Sequence, residues 1–210
     1  MKEAKKTGTT TVGIVCRDGI ILAADRRSTA GSMIVNKEAK KLTKITDHIA
    51  VTRAGVVSDI QLFERLIKAE IKLKEIQTGR PIRVIESANL LASMCYSAIR
   101  RPSMIMSIAG FLMGGVDDDG VHLFELEPAG SVTVIKNYMS DGSGMVFALG
   151  VLESDFKEGM SLDEGVELAK KAVNAAMQRD TASGNGIDVW AITKKGIEEK
   201  FAQAVNIGLY

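Results

Sequence analysis

Histidine and cysteine are scarce in this chain, and their scarcity excludes several familiar kinds of active site. Its 210 residues include two histidines and two cysteines, at scattered positions that lack the spacing of zinc ligands. His48 and His122 lie in strand-like runs, so neither is a good candidate for the base of a Ser-His-Asp site. Cys16 and Cys95 fall in a strand pattern and a helix pattern, where buried free thiols are expected. We therefore expect no metal site.

Excess charge and long apolar runs are also missing. The formal net charge is +1, with 27 basic and 26 acidic side chains mixed along the chain, so nothing indicates attraction to nucleic acid or to a membrane surface. No apolar run reaches the roughly 18–20 residues that a membrane span needs. Residues 1–8 are polar and lack the apolar stretch of a secretory signal, so we expect a cytoplasmic protein. The chain length suits one domain of above-average size.

The order of strands and helices favours an α+β fold with antiparallel sheets and helices on the outer faces. Two alternating runs flank Asp18-Gly19, and an Asp-Gly turn between such runs is a strong hairpin signal. The predicted helices span residues 58–77, 81–101, 145–152 and 161–179, and the predicted strands span residues 9–17, 20–25, 41–45, 47–53, 104–116, 121–126, 131–135 and 187–193. Residues 26–40 and 140–144 are predicted to be loops, and the chain after residue 194 a turn and a tail.

The most informative stretch joins the polar leader to the first strand. The leader ends at Gly8, and three threonines, beginning with Thr9, follow. If the Gly8–Thr9 bond were cut, Thr9 would carry its hydroxyl and a free amine on the same Cα. The amine has an ordinary pKa of about 7.7–8.0, so it can accept the hydroxyl proton near neutral pH. Taken alone, the stretch favours a Thr-rich edge strand over a nucleophile, since Thr is a good strand residue.

A nucleophile of this kind needs a cation beside it, an acid that holds the cation, and a backbone N–H for the oxyanion. Lys41 at a strand start, Asp25 at a strand end and Gly55 after an apolar strand are the candidates. Each also has an ordinary explanation: an exposed lysine, a strand-end charge and a turn glycine. Gly8 suits the cleavage because a residue without Cβ tolerates the tight geometry of attack within the chain.

Together, these motifs resemble the β subunit of the core proteasome, of the archaeal type. No single motif is specific, but the set appears in the same order along nearly the whole chain. The matching stretches are Thr9-Thr10-Thr11-Val12-Gly13, Leu22-Ala23-Ala24-Asp25-Arg26-Arg27, Lys40-Lys41-Leu42, Thr52-Arg53-Ala54-Gly55, Asp59, Gly142-Ser143-Gly144, Gly150-Val151-Leu152-Glu153-Ser154 and Arg179-Asp180-Thr181-Ala182-Ser183-Gly184.

The resemblance implies the fold of N-terminal-nucleophile hydrolases, a four-layer αββα sandwich of two antiparallel sheets between helical layers. It implies that residues 1–8 form a propeptide, removed by autocatalytic cleavage between Gly8 and Thr9, and that residues 9–210 form the catalytic domain of a threonine endopeptidase. The catalytic residues that it implies are Thr9, Asp25, Lys41, Gly55, Ser143, Asp180 and Ser183. The substrate-binding residues that it implies are Thr29, Arg53 and Gly55.

The same resemblance implies the partners: other β subunits in a seven-membered ring, α-subunit rings, an ATP-dependent unfoldase, and unfolded polypeptides as substrates. The chemistry needs no cofactor. A structural ring subunit that does not cut is an alternative, although the full set of matching residues argues against it. A simpler bacterial two-ring threonine peptidase is another, and the Arg179-Asp180-x-x-Ser183-Gly184 motif and the greater length favour the proteasome over it.

Arg53 departs from the archaeal pattern. By the period-two alternation of a strand, it shares a face with Ile49 and Val51. In the family that the chain resembles, this position forms the floor of the pocket for the side chain preceding the cut, and archaeal members usually have an apolar residue there. A guanidinium in a partly dry pocket would favour Glu or Asp at the cleavage position. The alternative is that Arg53 is neutralised by an internal acid or points away.

Overall fold

The computed structural model describes residues 8–205 of the chain, so the leader residues 1–7 of the predicted propeptide lie outside the described range. The elements in chain order are β1 (Thr11–Cys16), β2 (Gly19–Asp25), β3 (Ser28–Ala30), β4 (Met33–Asn36), β5 (Leu42–Lys44), β6 (Ile49–Thr52), β7 (Ala54–Gly55), α1 (Val57–Thr78), α2 (Val84–Ile99), β8 (Ala109–Asp117), β9 (Gly120–Leu126), β10 (Val132–Ile135), β11 (Tyr138–Asp141), α3 (Met145–Asp155), α4 (Leu162–Arg179), β12 (Gly186–Thr193) and β13 (Gly196–Ala204).

Two antiparallel sheets form the centre of the molecule. One has five strands in the order β11-β1-β2-β12-β13, and the other has six, in the order β10-β9-β8-β6-β5 with the short β7 paired to β8. The predicted hairpin at the start of the first sheet is present, but its turn is Arg17-Asp18, because Cys16 pairs with Gly19. Gly19 belongs to the strand instead, where a Cβ would lie 2.3 Å from the Ile192 carbonyl oxygen of β12.

The buried side chains divide into three clusters that separate four layers. The middle cluster fills the space between the two sheets and includes Ile20, Leu112 and Leu123. A second packs α1 and α2 on the six-stranded sheet, and a third packs α3 and α4 on the five-stranded sheet. The sheets approach so closely that a Cβ on Gly114 would lie 2.7 Å from Ile20 Cγ2. The prediction of an α+β sandwich, with helices outside two antiparallel sheets, is confirmed.

The helix signals in the sequence correspond to real capping interactions. Ser161 and Glu164 form a capping box at the start of α4, in which each side chain accepts a hydrogen bond from the other residue's backbone. Gly79 ends α1 in the left-handed conformation, with φ of 67°. The four predicted helices are all present, and their ends differ from the predicted ones by a few residues.

Several short strands fall where the sequence predicted loops or a tail. The β3–β4 hairpin pairs only within itself, and β4 is exposed along its whole length, so no buried face marks it in the sequence. The strand β13 is a largely exposed edge strand, and β11 lies at the opposite edge of the same sheet. Conversely, residues 104–108 were predicted to be strand because they are apolar, yet Met104, Ile105 and Met106 are exposed and outside any strand.

Both cysteines are buried free thiols, as predicted. Burial raises the pKa of Cys16 to about 12 and that of Cys95 to about 11. Neither thiol is therefore ionised near neutral pH, which rules out thiolate chemistry at these two positions.

Across residues 8–205, the structure has no helix that combines the length and the apolarity of a membrane span.

Replacing Leu112, which is fully buried between the sheets, by Ala should lower the free energy of unfolding by about 2–5 kcal/mol, because the cavity cannot close between two sheets. Leu73→Ala on α1 is the control, since Leu73 is 50% exposed and should cost much less. Urea denaturation followed by the fluorescence of the single tryptophan measures both changes. Equal losses for the two variants would contradict the assignment of this layer as core.

Candidate active site

The carboxylate of Asp25, at the end of β2, joins four separate segments of the chain. Its Oδ1 accepts hydrogen bonds from the Thr10 backbone N–H at 2.9 Å and from the Lys41 ammonium at 2.7 Å. Its Oδ2 accepts from the backbone N–H groups of Arg27 and Gly184, both at 2.9 Å. Asp25 is fully buried, so these donors replace all the solvation that the carboxylate loses. The arrangement fixes Lys41 in position relative to the start of β1.

Lys41 lies between this carboxylate and the leader. Its ammonium is 2.7 Å from Asp25 Oδ1 and 3.4 Å from the carbonyl oxygen of Gly8. Burial lowers the pKa of Lys41 from its ordinary value, and the neighbouring Asp25 carboxylate opposes that shift. The lysine predicted as the cation of the site therefore contacts the carbonyl group of the bond predicted to be cut.

Ser143 contacts the amide of the same bond from the other side. The Thr9 backbone N–H donates to Ser143 Oγ at 3.1 Å. Ser143 and Ser183 both donate to Asp180 Oδ2 at 2.6 Å, so the serine proton points to the carboxylate and a lone pair faces Thr9. Burial alone would raise the pKa of Asp180, but the hydrogen bonds from Ser143, Ser183 and the Ala182 backbone N–H, together with the charge of Lys41, hold the pKa below its ordinary value. The carboxylate is thus kept as an acceptor.

Thr10 takes part in this network, although the sequence analysis assigned it no role. Its hydroxyl lies 2.7 Å from Ser183 Oγ, and because Ser183 donates to Asp180, the Thr10 hydroxyl is the donor. Its backbone N–H binds Asp25. Thr10 therefore connects the Asp25–Lys41 pair to the Ser183–Asp180 pair. The signal available in the sequence was the run of three threonines, which by itself favours an edge strand.

Gly8 is required by packing. A Cβ at this position would lie 1.8 Å from the Cβ of Ala182 and 3.0 Å from Ser143 Oγ. Its backbone N–H donates to Thr29 Oγ1 at 3.1 Å, so Thr29, predicted to bind substrate, contacts the residue that precedes the predicted cut.

A cavity of about 190 Å³ opens beside Thr9. Gly55 and Arg53 both line it, together with Lys41. Gly55 has φ of 127°, and a Cβ there would lie 2.3 Å from the Ile108 carbonyl oxygen, so the close approach of the chain before β8 demands glycine. Gly55 therefore lies on the wall of the cavity that Thr9 also lines, the cavity where the predicted oxyanion donor is needed.

Arg53 does not face the cavity as a free cation. Its Nη1 lies 3.3 Å from Oε2 of Glu64, a buried residue of α1. Of the two alternatives left by the sequence, neutralisation by an internal acid is the one that this geometry favours. Glu64 itself was not identified from the sequence, because it is one acid among several on an amphipathic helix and its partner lies eleven positions away.

The structure brings the predicted catalytic residues to the Gly8–Thr9 bond, to the groups that hold it or, for Gly55, to the cavity beside it. Those residues are Thr9, Asp25, Lys41, Gly55, Ser143, Asp180 and Ser183. The arrangement supplies a hydroxyl on the residue after the bond, a cation on its carbonyl side, an acceptor on its amide side and a cavity for a neighbouring side chain. This is the set of groups that acyl transfer to a threonine hydroxyl requires.

Comparison with known proteins gives one consistent result. A family model described as "Proteasome subunit" matches residues 5–192. "Proteasome subunit beta 1" of Thermococcus gammatolerans is 46% identical over 192 residues, which is 91% of this chain and 92% of that protein. "Proteasome subunit beta" of Methanocaldococcus vulcanius is 45% identical over 192 residues, 91% of this chain and 84% of that protein. "Proteasome subunit beta" of Methanopyrus kandleri is 42% identical over 190 residues, 90% of this chain and 88% of that protein.

Replacing Asp25 by Asn should lower the free energy of unfolding by about 3–5 kcal/mol, because it leaves the Lys41 charge buried without its partner. The new side-chain amide also carries an N–H donor of its own, which would face the four donors that now bind the Asp25 carboxylate. Asp47→Asn is the matched control: Asp47 pairs with Lys44 at the surface, and its loss should leave stability unchanged. Urea denaturation compares the two. A loss for Asp25→Asn no larger than for Asp47→Asn would contradict the central position given to Asp25.

Proposed function

The chain belongs to the proteasome subunit family as a β subunit of the archaeal type, and from that premise we propose that it is a catalytic subunit, a threonine endopeptidase of the proteasome core. The single observation that supports this most is the convergence of Lys41 and Ser143 on the two sides of the Gly8–Thr9 bond. A subunit with only a structural role has no need to hold this bond between a buried cation and an ordered acceptor.

In the first proposed reaction, the chain removes its own leader. The Thr9 hydroxyl attacks the Gly8 carbonyl carbon, and the Lys41 ammonium near that oxygen favours the charge that develops on it. The C–N bond then breaks as the departing Thr9 nitrogen takes up the proton that the hydroxyl gave up, leaving an ester on Thr9 Oγ and a free amine at Thr9. Water hydrolyses the ester and releases residues 1–8. Ser143 already accepts a hydrogen bond from this nitrogen and is in place to hold the amine.

In the second proposed reaction, the processed subunit cuts other polypeptides. The Thr9 amine accepts the hydroxyl proton, and the positive charge of Lys41 lowers the cost of forming the alkoxide. The alkoxide attacks a peptide carbonyl whose oxygen is received by the Gly55 N–H. The leaving amine departs with a proton, an ester forms on Thr9, and water releases the second product. Asp25 keeps Lys41 in position and does not itself touch the substrate.

For the substrate, we propose that Thr29 binds the backbone and that the cavity beside Thr9 receives the side chain preceding the cut. Gly8 occupies the position of that residue during removal of the leader, and its N–H donates to Thr29. Arg53 lines the cavity, which is the basis on which the sequence predicts a preference for Glu or Asp, but its pairing with Glu64 opposes such a preference.

The family implies assembly into the proteasome core with other subunits. We propose specifically a seven-membered ring with other β subunits, enclosed by α-subunit rings and supplied with unfolded polypeptides by an ATP-dependent unfoldase. The exposed apolar side chains Met33, Val35, Met104 and Ile105 are compatible with burial against neighbouring subunits.

Thr9→Ala should keep residues 1–8 and cleave no peptide, because both reactions need the hydroxyl. Thr9→Ser keeps a hydroxyl and should retain leader removal and peptide cleavage. Thr133→Ala, at an exposed position of β10, controls for loss of a threonine as such. Intact-mass measurement and hydrolysis of a fluorogenic peptide provide the two readouts. Peptide cleavage by purified Thr9→Ala at the rate of the unmodified protein would refute the assignment and favour a structural subunit.

Gly8→Ala should slow or abolish removal of the leader, since the new methyl group would overlap Ala182. Ala182→Gly removes the atom that it meets, so the double variant Gly8→Ala/Ala182→Gly should recover part of the processing. The fraction of chains that start at Thr9, measured by mass spectrometry over time after expression, gives the rates. If the double variant were no faster than Gly8→Ala, packing against Ala182 would not be the reason for glycine.

A further inference from the structure

Glu64 is a buried acid with an incomplete set of partners. It lies on the inner face of α1 and is 9% exposed. Its Oε2 accepts one hydrogen bond, 3.3 Å long, from Arg53 Nη1. Within residues 8–205, its Oε1 is buried and has no hydrogen-bond partner. A buried carboxylate held by one long contact is costly for the fold unless the charge of the guanidinium compensates it. The pair is therefore stable as a unit, although one oxygen of Glu64 lacks a hydrogen bond.

Every cation that lines the cavity beside Thr9 is paired with an acid outside it. The pairs are Lys40 with Asp188 at 3.2 Å, Lys41 with Asp25 at 2.7 Å, and Arg53 with Glu64 at 3.3 Å. Among the described lining residues, the remaining ionisable group is Glu38, which is exposed and acidic. Apolar surface comes from Ala39, Val57 and Ile60. A side chain entering the cavity therefore meets Lys41 and Arg53, each paired with an acid, and an apolar wall, while the exposed Lys40 shares Asp188 with Arg26.

We infer that Glu64 sets the charge preference of this cavity by occupying the Arg53 guanidinium. The inference rests on the proposed function, because it concerns the side chain that precedes the cut. Arg53 keeps N–H donors that Glu64 does not use, so a substrate carboxylate can still reach it. It would then share one guanidinium with a second carboxylate, and like charges at one site repel. Uncharged side chains avoid this cost, so the unmodified protein cleaves after Gln or Leu at least as fast as after Glu.

The test compares two fluorogenic peptides that differ only in Glu or Gln before the cut, since these side chains have the same shape and differ in charge. Glu64→Gln in the assembled particle should raise the Glu-to-Gln ratio of kcat/KM about tenfold or more, chiefly through KM, because the guanidinium is released for the substrate. Glu70→Gln, at an exposed position of the same helix, should leave the ratio unchanged. An unchanged ratio in an active Glu64→Gln particle would overturn the inference.

A second variant tests whether Glu64 cancels the attraction of Arg53 for acidic side chains, even if Glu64→Gln does not assemble. Replacing both members of the pair, Arg53→Met/Glu64→Met, removes the two charges together, a change that packed interiors tolerate. If Glu64 neutralises Arg53, the ratio in this variant should stay within about threefold of the unmodified protein. A fall of tenfold or more would show that Arg53 attracts acidic side chains despite Glu64, and would overturn the inference.

Absence of peptide cleavage by the unmodified, assembled particle would instead count against the proposed function.

Discussion

The buried ion pair between Asp25 and Lys41 is the interaction on which the rest of the site depends. A lysine that is 5% exposed and a carboxylate that is fully buried are each costly, and they are tolerated because they lie 2.7 Å apart. Three backbone N–H groups complete the solvation of the carboxylate: that of Arg27 is two residues away, and those of Thr10 and Gly184 come from other segments of the chain. The same contacts that satisfy Asp25 therefore place Lys41 beside the Gly8 carbonyl.

The layered fold makes this convergence possible. The central pairing of β1 with β2 and of β2 with β12 brings the chain before β1, the end of β2 and the start of β12 together at one end of the central strands of the five-stranded sheet. The six-stranded sheet, packed closely against it, contributes the wall that contains Gly55. The Ser143 and Asp180 groups come from the segments that flank α3 and α4. Rigid strands thus hold a small number of polar groups around a single peptide bond, which favours catalysis because little has to rearrange.

Sequence reasoning predicted the elements with strong periodicity and the residues that carry a motif. The long helices and the first hairpin were recognisable because their apolar residues face a core. The β3–β4 hairpin and β13 were missed because their residues are mostly exposed, so burial leaves no alternating pattern in them. Ala182 matters because it packs against Gly8, and Glu64 matters because it pairs with Arg53. Each role depends on a single contact with another segment of the chain, and no local sequence pattern encodes such a contact.

The central claim is that the working nucleophile is the hydroxyl of Thr9 with a free amine beside it, released by cleavage after Gly8. The most direct test is intact-mass analysis and N-terminal sequencing of the purified particle, performed on the same sample whose peptide hydrolysis is measured. This account predicts that active particles contain chains that begin at Thr9. Full activity in a preparation whose chains all retain residues 1–8 would contradict it.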